Sequence, residues 1–383
     1  MVQLAIDQQV DLVVIAGDLY DGDWTDQNTG LFFVGQASKL VQAGIPLVVI
    51  RGNHDAANLM TSTLPLPKNP DGSEIMLAAD RVDLRTFDDL AIAVHGRSFR
   101  TRAETENLAA DYPAPISGMF NIGLLHTSLT GAEGHDTYAP CTAAQLTDKN
   151  YDYWALGHVH TRGDHGLDGS APIVFSGNIQ GRHIRETGPK GCMIVEIDNS
   201  NQCSSTFHEL DVVRWELCRI DVESMQHVDE VIDAFQSQLA QMIATADNRL
   251  LVTRVEAIGK TVLHHELHHR KSQLKASLQA TAVSHGREQV WLEEFKTRTT
   301  PLSTTPSVDL DGPLESLAAI TSELRSSGSE SIEQELRSLI KKLPLESDSE
   351  NAFPFDNEQW ITELVDSASS EVLSRLQTEG VSQ

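Results

Sequence analysis

Four times between residues 10 and 160 a short apolar, β-branched run gives way to a cluster of polar side chains. Residues 10–16 (VDLVVIA) lead into GDLYDG, residues 45–50 (IPLVVI) into GNHD, residues 121–125 (NIGLL) into HTS, and residues 153–156 (YWAL) into GHVH. Runs this short and continuously apolar are expected as strands buried on both faces, the condition of a parallel sheet. Between the first two, residues 25–43 carry Leu31, Val34, Leu40 and Val41 at helical spacing and stop at Gly44, so a β-α-β unit is predicted. In open α/β sheets ligands gather at the carboxyl ends of the strands. The four clusters are therefore expected to meet in space.

Further along, residues 90–95 are another strand candidate, and residues 173–220 read as short strands with turns, an antiparallel element beside the first sheet. From residue 212 the pattern runs strand, helix (228–243), strand (250–258), helix (264–278), strand (289–299), which describes a small separate α/β domain. The stretch STTPSVDLDGP reads as a linker and the remainder as an acidic, helical tail. The expected organisation is thus a first domain over 1–211, a second over 212–300, a linker over 301–312 and a tail over 313–383. In the tail, Ile361, Leu364, Val365, Ala368, Val372, Leu373 and Leu376 follow Trp360 at helical spacing. That stripe suits packing on the body or docking on a partner helix.

Composition narrows the class. No run reaches the roughly 18 apolar residues of a membrane-spanning helix, and the start MVQLAIDQQV lacks the pattern of a signal peptide, so a soluble, cytoplasmic protein is expected. Cys141, Cys192, Cys203 and Cys218 are widely spaced with no CxxC pair, which argues against a zinc knuckle or a disulfide framework. A formal net charge of -26 argues against a broad basic surface for nucleic acid, so DNA contact is expected to be local or shared with a partner.

The side chains offered at the four strand ends are Asp18, Asn53, His126, His158 and His160. Singly they read as turn residues, helix caps or packed histidines. Together, in order and each after a buried strand, they read as a metal centre. A mixed set of carboxylate, amide and imidazole suits Mn²⁺, Fe or Zn²⁺ better than the oxygen shell of Ca²⁺.

These residues resemble the calcineurin-like metallophosphoesterases, whose pattern is D-x-H, GD, GNH(D/E), a lone His and GHxH. Over roughly residues 1–215 the segments GDLYDGDW, AVHGRSF, NIGLLHTSLTG, YDYWALGHVH and GNIQGRHIRETGPKGC resemble the bacterial DNA-repair exonucleases of the SbcD and YhaO type. The resemblance implies an α/β fold: a metallophosphoesterase β-sandwich flanked by helices, with its first strand missing, a small α/β capping domain that positions DNA, and a helical C-terminal tail. It implies two divalent metal ions, Mn²⁺ preferred, bridged by Asp18. Asn53, His126 and His158 would complete one site and His160 would belong to the other. His54 would protonate the leaving oxygen or steady the transition-state charge, oriented by Asp55. Arg182, His183 and Arg185 would hold phosphates.

No Asp-x-His precedes Asp18 in this sequence, so the second site is expected to keep only Asp18 and His160 and to bind metal weakly, with weak or no cleavage by this chain. The expected substrate is DNA and the expected partner an SbcC-type, SMC-like ATPase; a homodimer is a further expectation. Two rival readings stand beside this: a non-catalytic subunit regulating that ATPase, and a phosphodiesterase for nucleotides or small molecules. His265-Glu266-Leu267-His268-His269 satisfies the H-E-x-x-H zinc-protease pattern, but no third ligand follows in context, and a surface helix start is the expectation there.

Overall fold

The computed structural model describes residues 1–20, 27–56, 64–129, 138–286, 289–302 and 313–326, with 364, 365, 368, 369 and 372. Asp21 and Gly22, the linker residues 303–312, and Trp360, Ile361, Leu373 and Leu376 of the tail stripe lie outside the described residues. The chain divides into two units, Met1–Arg214 and Trp215–Gln383.

The first unit opens with helix α1 (Val2–Asp7), strand β1 (Val13–Ile15), helix α2 (Gln27–Gln42), strand β2 (Leu47–Val49) and the single-turn helix α3 (Asn53–Ala56). β1 and β2 pair in parallel with Val14 opposite Val48, as the β-α-β reading requires. Then come β3 (Asp83–Phe87), β4 (Ile92–Gly96), β5 (Phe120–His126), the short helix α4 (Ala143–Thr147), β6 (Tyr153–Gly157), β7 (Gly163–Asp164) and β8 (Ile173–Phe175). These strands form a six-stranded sheet in the order β3-β4-β5-β6-β8-β7. Its centre, β4-β5-β6-β8, is parallel, and the two edge strands run antiparallel to their neighbours. A hairpin, β9 (Gly191–Ile197) and β10 (Cys203–Glu209), completes the unit's strands.

One layer of core joins the two sheets. Val48 and Ile50 from the β2 strand pack with Ile122 and Leu124 of β5, Tyr153 of β6 and Val174 of β8, with Val14 and the hairpin's Met193 and Val195 against them. α1 and α2 cover the outer side of β1-β2 through Ala5, Ala37 and Leu40. On the far side of the large sheet Trp154 stacks on Tyr151 at 5.0 Å between ring centroids and donates Nε1–H to Leu146 O at 3.2 Å. Gly123 of β5 makes room for that indole, because a Cβ there would occupy the ring. The result is the mixed α/β sandwich with flanking helices expected of a metallophosphoesterase. It departs from the reading of residues 173–220 as wholly antiparallel: Ile173, Val174 and Phe175 are all buried and join the large sheet parallel to β6. A strand apolar on both faces belongs inside a sheet, not in a half-exposed hairpin.

In the second unit β11 (Val213–Asp221), α5 (Glu230–Ala246), β12 (Leu250–Thr261), α6 (His264–His269), α7 (Lys271–Gly286) and β13 (Val290–Pro301) form a three-stranded sheet in the order β11-β12-β13 with its helices. β12 and β13 are parallel, with a register shift between Thr253 and Arg254. Phe235, Leu239, Leu267, Leu278 and Phe295 are among the side chains of its core. Helix α8 (Pro313–Ser326) follows, and Thr321 shares a 2.9 Å hydrogen bond with Ser369 of the tail, in which Val365 is buried. The single helix expected over residues 264–278 is two, because α6 stops at Arg270, whose backbone stands at φ -90, ψ 13. A helix does start at His264, with Glu266 and His269 exposed on one side, while His264 and Leu267 are buried on the other and the His264 and His268 ring centroids lie 4.6 Å apart.

Candidate metal centre

All four polar clusters do reach one edge of the first unit. β1 delivers Asp18 through the tight turn Gly17-Asp18, in which both residues have left-handed backbone, φ 96 and φ 52. β2 delivers Asn53 at the first turn of α3, β5 ends at His126, and β6 runs through Gly157 to His158, which itself stands at φ 98. A left-handed conformation is unfavourable for a residue with a side chain, so Asp18 and His158 mark a backbone held in place by its surroundings. Close approach is enforced by glycine. A Cβ on Gly52 would fall on the Asp18 carboxylate and within 2.6 Å of His126 Cε1, and one on Gly157 would fall on the Ala16 carbonyl oxygen.

Single ligand atoms of Asp18, His126 and His158 all lie within 4.8 Å of one another, and Asn53 joins them. His126 Nε2 is 2.9 Å from Asn53 Oδ1 and 3.3 Å from Asp18 Oδ2, while Nδ1 is 2.8 Å from Ala16 O. Both imidazole nitrogens therefore face oxygen acceptors. Nδ1–H donates to the Ala16 carbonyl, and what remains is a nitrogen lone pair aimed at two oxygens. Two oxygens and an imidazole nitrogen converging in this way suit a cation, so the residues fit a metal ion. A proton at Nε2 serves the same purpose. Burial works to lower the His126 pKa, yet the hydrogen bond and charge of Asp18 outweigh it and raise that pKa above the ordinary imidazole value. Burial likewise opposes ionisation of Asp18, and the His126 hydrogen bond and charge, with His54 behind them, hold its pKa below the usual carboxylate range.

Around this cluster the other residues named from the sequence take distinct places. The His54 amide donates to Asp18 Oδ1 at 3.0 Å, tying α3 to the first turn. Asp55 is buried and accepts hydrogen bonds from three backbone amides, Gly52 at 3.0 Å, Leu19 at 3.2 Å and Tyr20 at 3.2 Å. It thus staples the loop after β1 to the turn after β2. Burial, together with the nearby Asp18 charge and against those amides, pushes its pKa up to about 6. His160 stands outside the three-residue cluster, with Nδ1 2.6 Å from Oε1 of the buried Glu186. Arg182 is exposed and lays its guanidinium 3.4 Å from the same Glu186 oxygen, and His183 Nε2 is 3.8 Å from it. Arg185 is exposed, with its amide 3.2 Å from His183 Nδ1.

Three contributors were not legible from motif spacing: the Ala16 carbonyl, Glu186, and Phe99, whose ring edge meets His126 at 5.1 Å between centroids. The strand-ending glycines at 17, 52 and 157 were the available signal that backbone approaches closely here.

Comparison with known proteins agrees with this geometry. Residues 1–162 match the calcineurin-like phosphoesterase family, and residues 215–300 match the middle domain of metallophosphoesterase YhaO. The chain is 32% identical over 242 residues to an uncharacterized metallophosphoesterase YhaO of Bacillus subtilis, covering 63% of this chain and 59% of that protein. It is 24% identical to a subunit of the SbcCD nuclease of Staphylococcus epidermidis, over 54% of this chain and 61% of that one. It is 25% identical to the DNA double-strand break repair protein Mre11 of Sulfurisphaera tokodaii, over 46% of each. The chain thus spans about half to three fifths of the length of these curated relatives. None of the described helices is long and apolar enough to cross a membrane.

Proposed function

We propose that this chain, which carries a calcineurin-like metallophosphoesterase domain of the YhaO type, serves hydrolysis of DNA phosphodiesters by a divalent metal pair, Mn²⁺ preferred, beside an SbcC-type ATPase in the cytoplasm. The observation that carries the reading is the convergence of Asp18, Asn53 and His158 on His126, a mixed set of carboxylate, amide and imidazole that suits a divalent metal ion. Two relatives named for nuclease activity or double-strand break repair support DNA as the substrate.

The residues would divide the work as follows. Asp18, Asn53, His126 and His158 would hold one metal ion, and Asp18 with His160 would contribute to a second. When bound, such a pair supplies Lewis acidity to the phosphoryl oxygens and a water of lowered pKa. His54, beside the cluster and tied to it through its own amide, would give a proton to the departing oxygen. Asp55 would hold the two ligand-bearing turns in register. Arg182, His183 and Arg185 lie on the loop between β8 and β9, where phosphate contact would be made. With a net charge of -26, the partner would supply most of the basic surface for DNA.

The test offers Mn²⁺ and end-labelled linear duplex DNA to the natural protein, with free nucleotides and small phosphodiesters in parallel. Weak shortening of DNA ends that disappears in Asp18→Asn is the expected result, because this chain offers Asp18 and His160 to the second site. Cleavage confined to nucleotides or small diesters, with DNA left intact, overturns the proposal.

A further inference from the structure

The loop between β8 and β9 folds back on His160 and meets it at three points. The Asn178 amide donates to the His160 carbonyl at 3.2 Å, and the buried Lys190 reaches the same oxygen with Nζ at 3.4 Å. Glu186 takes the ring, with Oε1 2.6 Å from His160 Nδ1. The rest of that carboxylate is also committed to accepting hydrogen bonds. Oε2 accepts from the Arg182 amide at 2.8 Å, and the Arg182 guanidinium lies 3.4 Å from Oε1. A carboxylate facing donors from Arg182 on both oxygens is an acceptor towards His160 as well, which places the imidazole proton on Nδ1.

We infer that Glu186 is a positioning residue: by accepting Nδ1–H it fixes the tautomer of His160 and presents the Nε2 lone pair as the atom that ligates metal. The inference rests on the metal-centre reading above. Carboxylates behind metal-binding imidazoles set tautomer and ring orientation in this way, and their loss weakens metal binding on the order of 10- to 100-fold. It also gives the loop a function other than phosphate contact. Arg182 then acts on the carboxylate that orients a ligand, and the buried Glu186, next to Arg185 in the stretch that holds Arg182, His183 and Arg185, carries the chemistry.

Long-range ¹H–¹⁵N spectra of the full chain, labelled at histidine and recorded in alkaline buffer where imidazoles are neutral, read the tautomer directly. The His160 signal is assigned by its loss in His160→Gln. In the wild type the proton should reside on Nδ1. Glu186→Gln, whose amide oxygen still accepts, should keep it there, and Glu186→Ala should release the ring to the Nε2–H form favoured by free imidazole. Titration with Mn²⁺ alone should then show the site that includes His160 weakened on the order of 10- to 100-fold in Glu186→Ala and largely restored in Glu186→Gln, with the site of Asp18, Asn53, His126 and His158 unmoved. A wild-type proton on Nε2 overturns the inference even if Glu186→Ala fails to fold. So does a tautomer unmoved by that substitution. Failure of the underlying reading would look different: Nδ1–H intact in the wild type, with no Mn²⁺ bound at all.

Discussion

His126 and Asn53 meet at 2.9 Å although they come from different layers of the first unit, His126 from the six-stranded sheet and Asn53 from the turn after the two-stranded one. With Asp18 Oδ2 at 3.3 Å from the same nitrogen, an arriving metal ion must displace the proton that otherwise sits at Nε2. Metal affinity should therefore fall as pH drops through the His126 pKa, which is raised above the ordinary imidazole value of 6.5. Calorimetry of Mn²⁺ binding in two buffers of different ionisation enthalpy should report net proton release below that pKa. Affinity that is flat with pH would contradict the assignment of His126.

Gly52→Ala should damage the site more than the fold. Its Cβ would press on Asp18 and His126, and overpacking of this kind costs about 1 to 3 kcal/mol. A small shift in thermal midpoint with markedly weaker Mn²⁺ binding is expected. Unchanged metal binding would mean that Asp18 and His126 do not hold the ion.

In a version of the protein that cleaves, replacing His54 by Ala should lower turnover by roughly 10² to 10⁴, the range of general acid–base catalysis, while bound metal measured by elemental analysis stays constant. Loss of the metal instead would make His54 a ligand.

The second unit should be sensitive to acid through His264. Burial, with the neighbouring His268 and His265, lowers its pKa from 6.5 to about 4. The folded state thus resists a proton that the unfolded chain accepts, so the stability tied to neutral His264 is full above pH 6.5 and declines as pH falls towards about 4. The decline should amount to about 1 to 3 kcal/mol. Urea unfolding of the wild type at neutral pH and at pH about 5 should show that loss, and His264→Gln should flatten it.

Much of this was legible because the chemistry sits where strands end. The apolar runs before Asp18, Asn53, His126 and His158 mark both the strand positions and the edge on which those side chains gather. Packing that depends on partners distant in sequence is harder to see. Ile173, Val174 and Phe175 are too few to show a period, and only their burial on both faces assigns them to the large sheet. The break at Arg270 carries neither Gly nor Pro, so the helical pattern runs straight through it. Asp55 has the look of a partner for its neighbour His54, and its carboxylate also serves three backbone amides, a use that no side-chain motif announces. Glu186 is hidden in the sequence for a similar reason: beside a run of basic residues an acidic one reads as a solvated charge, and only the fold buries it.

Asp18 and Asn53 hang from one sheet of the sandwich, His126 and His158 from the other, and the hydrophobic layer of Val48, Ile50, Ile122 and Leu124 sets the gap between them. The spacing of the ligands is consequently a property of greasy contacts that never touch an ion. Trimming a methyl group there, as in Ile122→Val, would loosen the layer that spaces the two sheets, and the ligands would feel it through the backbone that carries them. Selection for a different metal could then work from the interior of the domain, leaving every ligand in place.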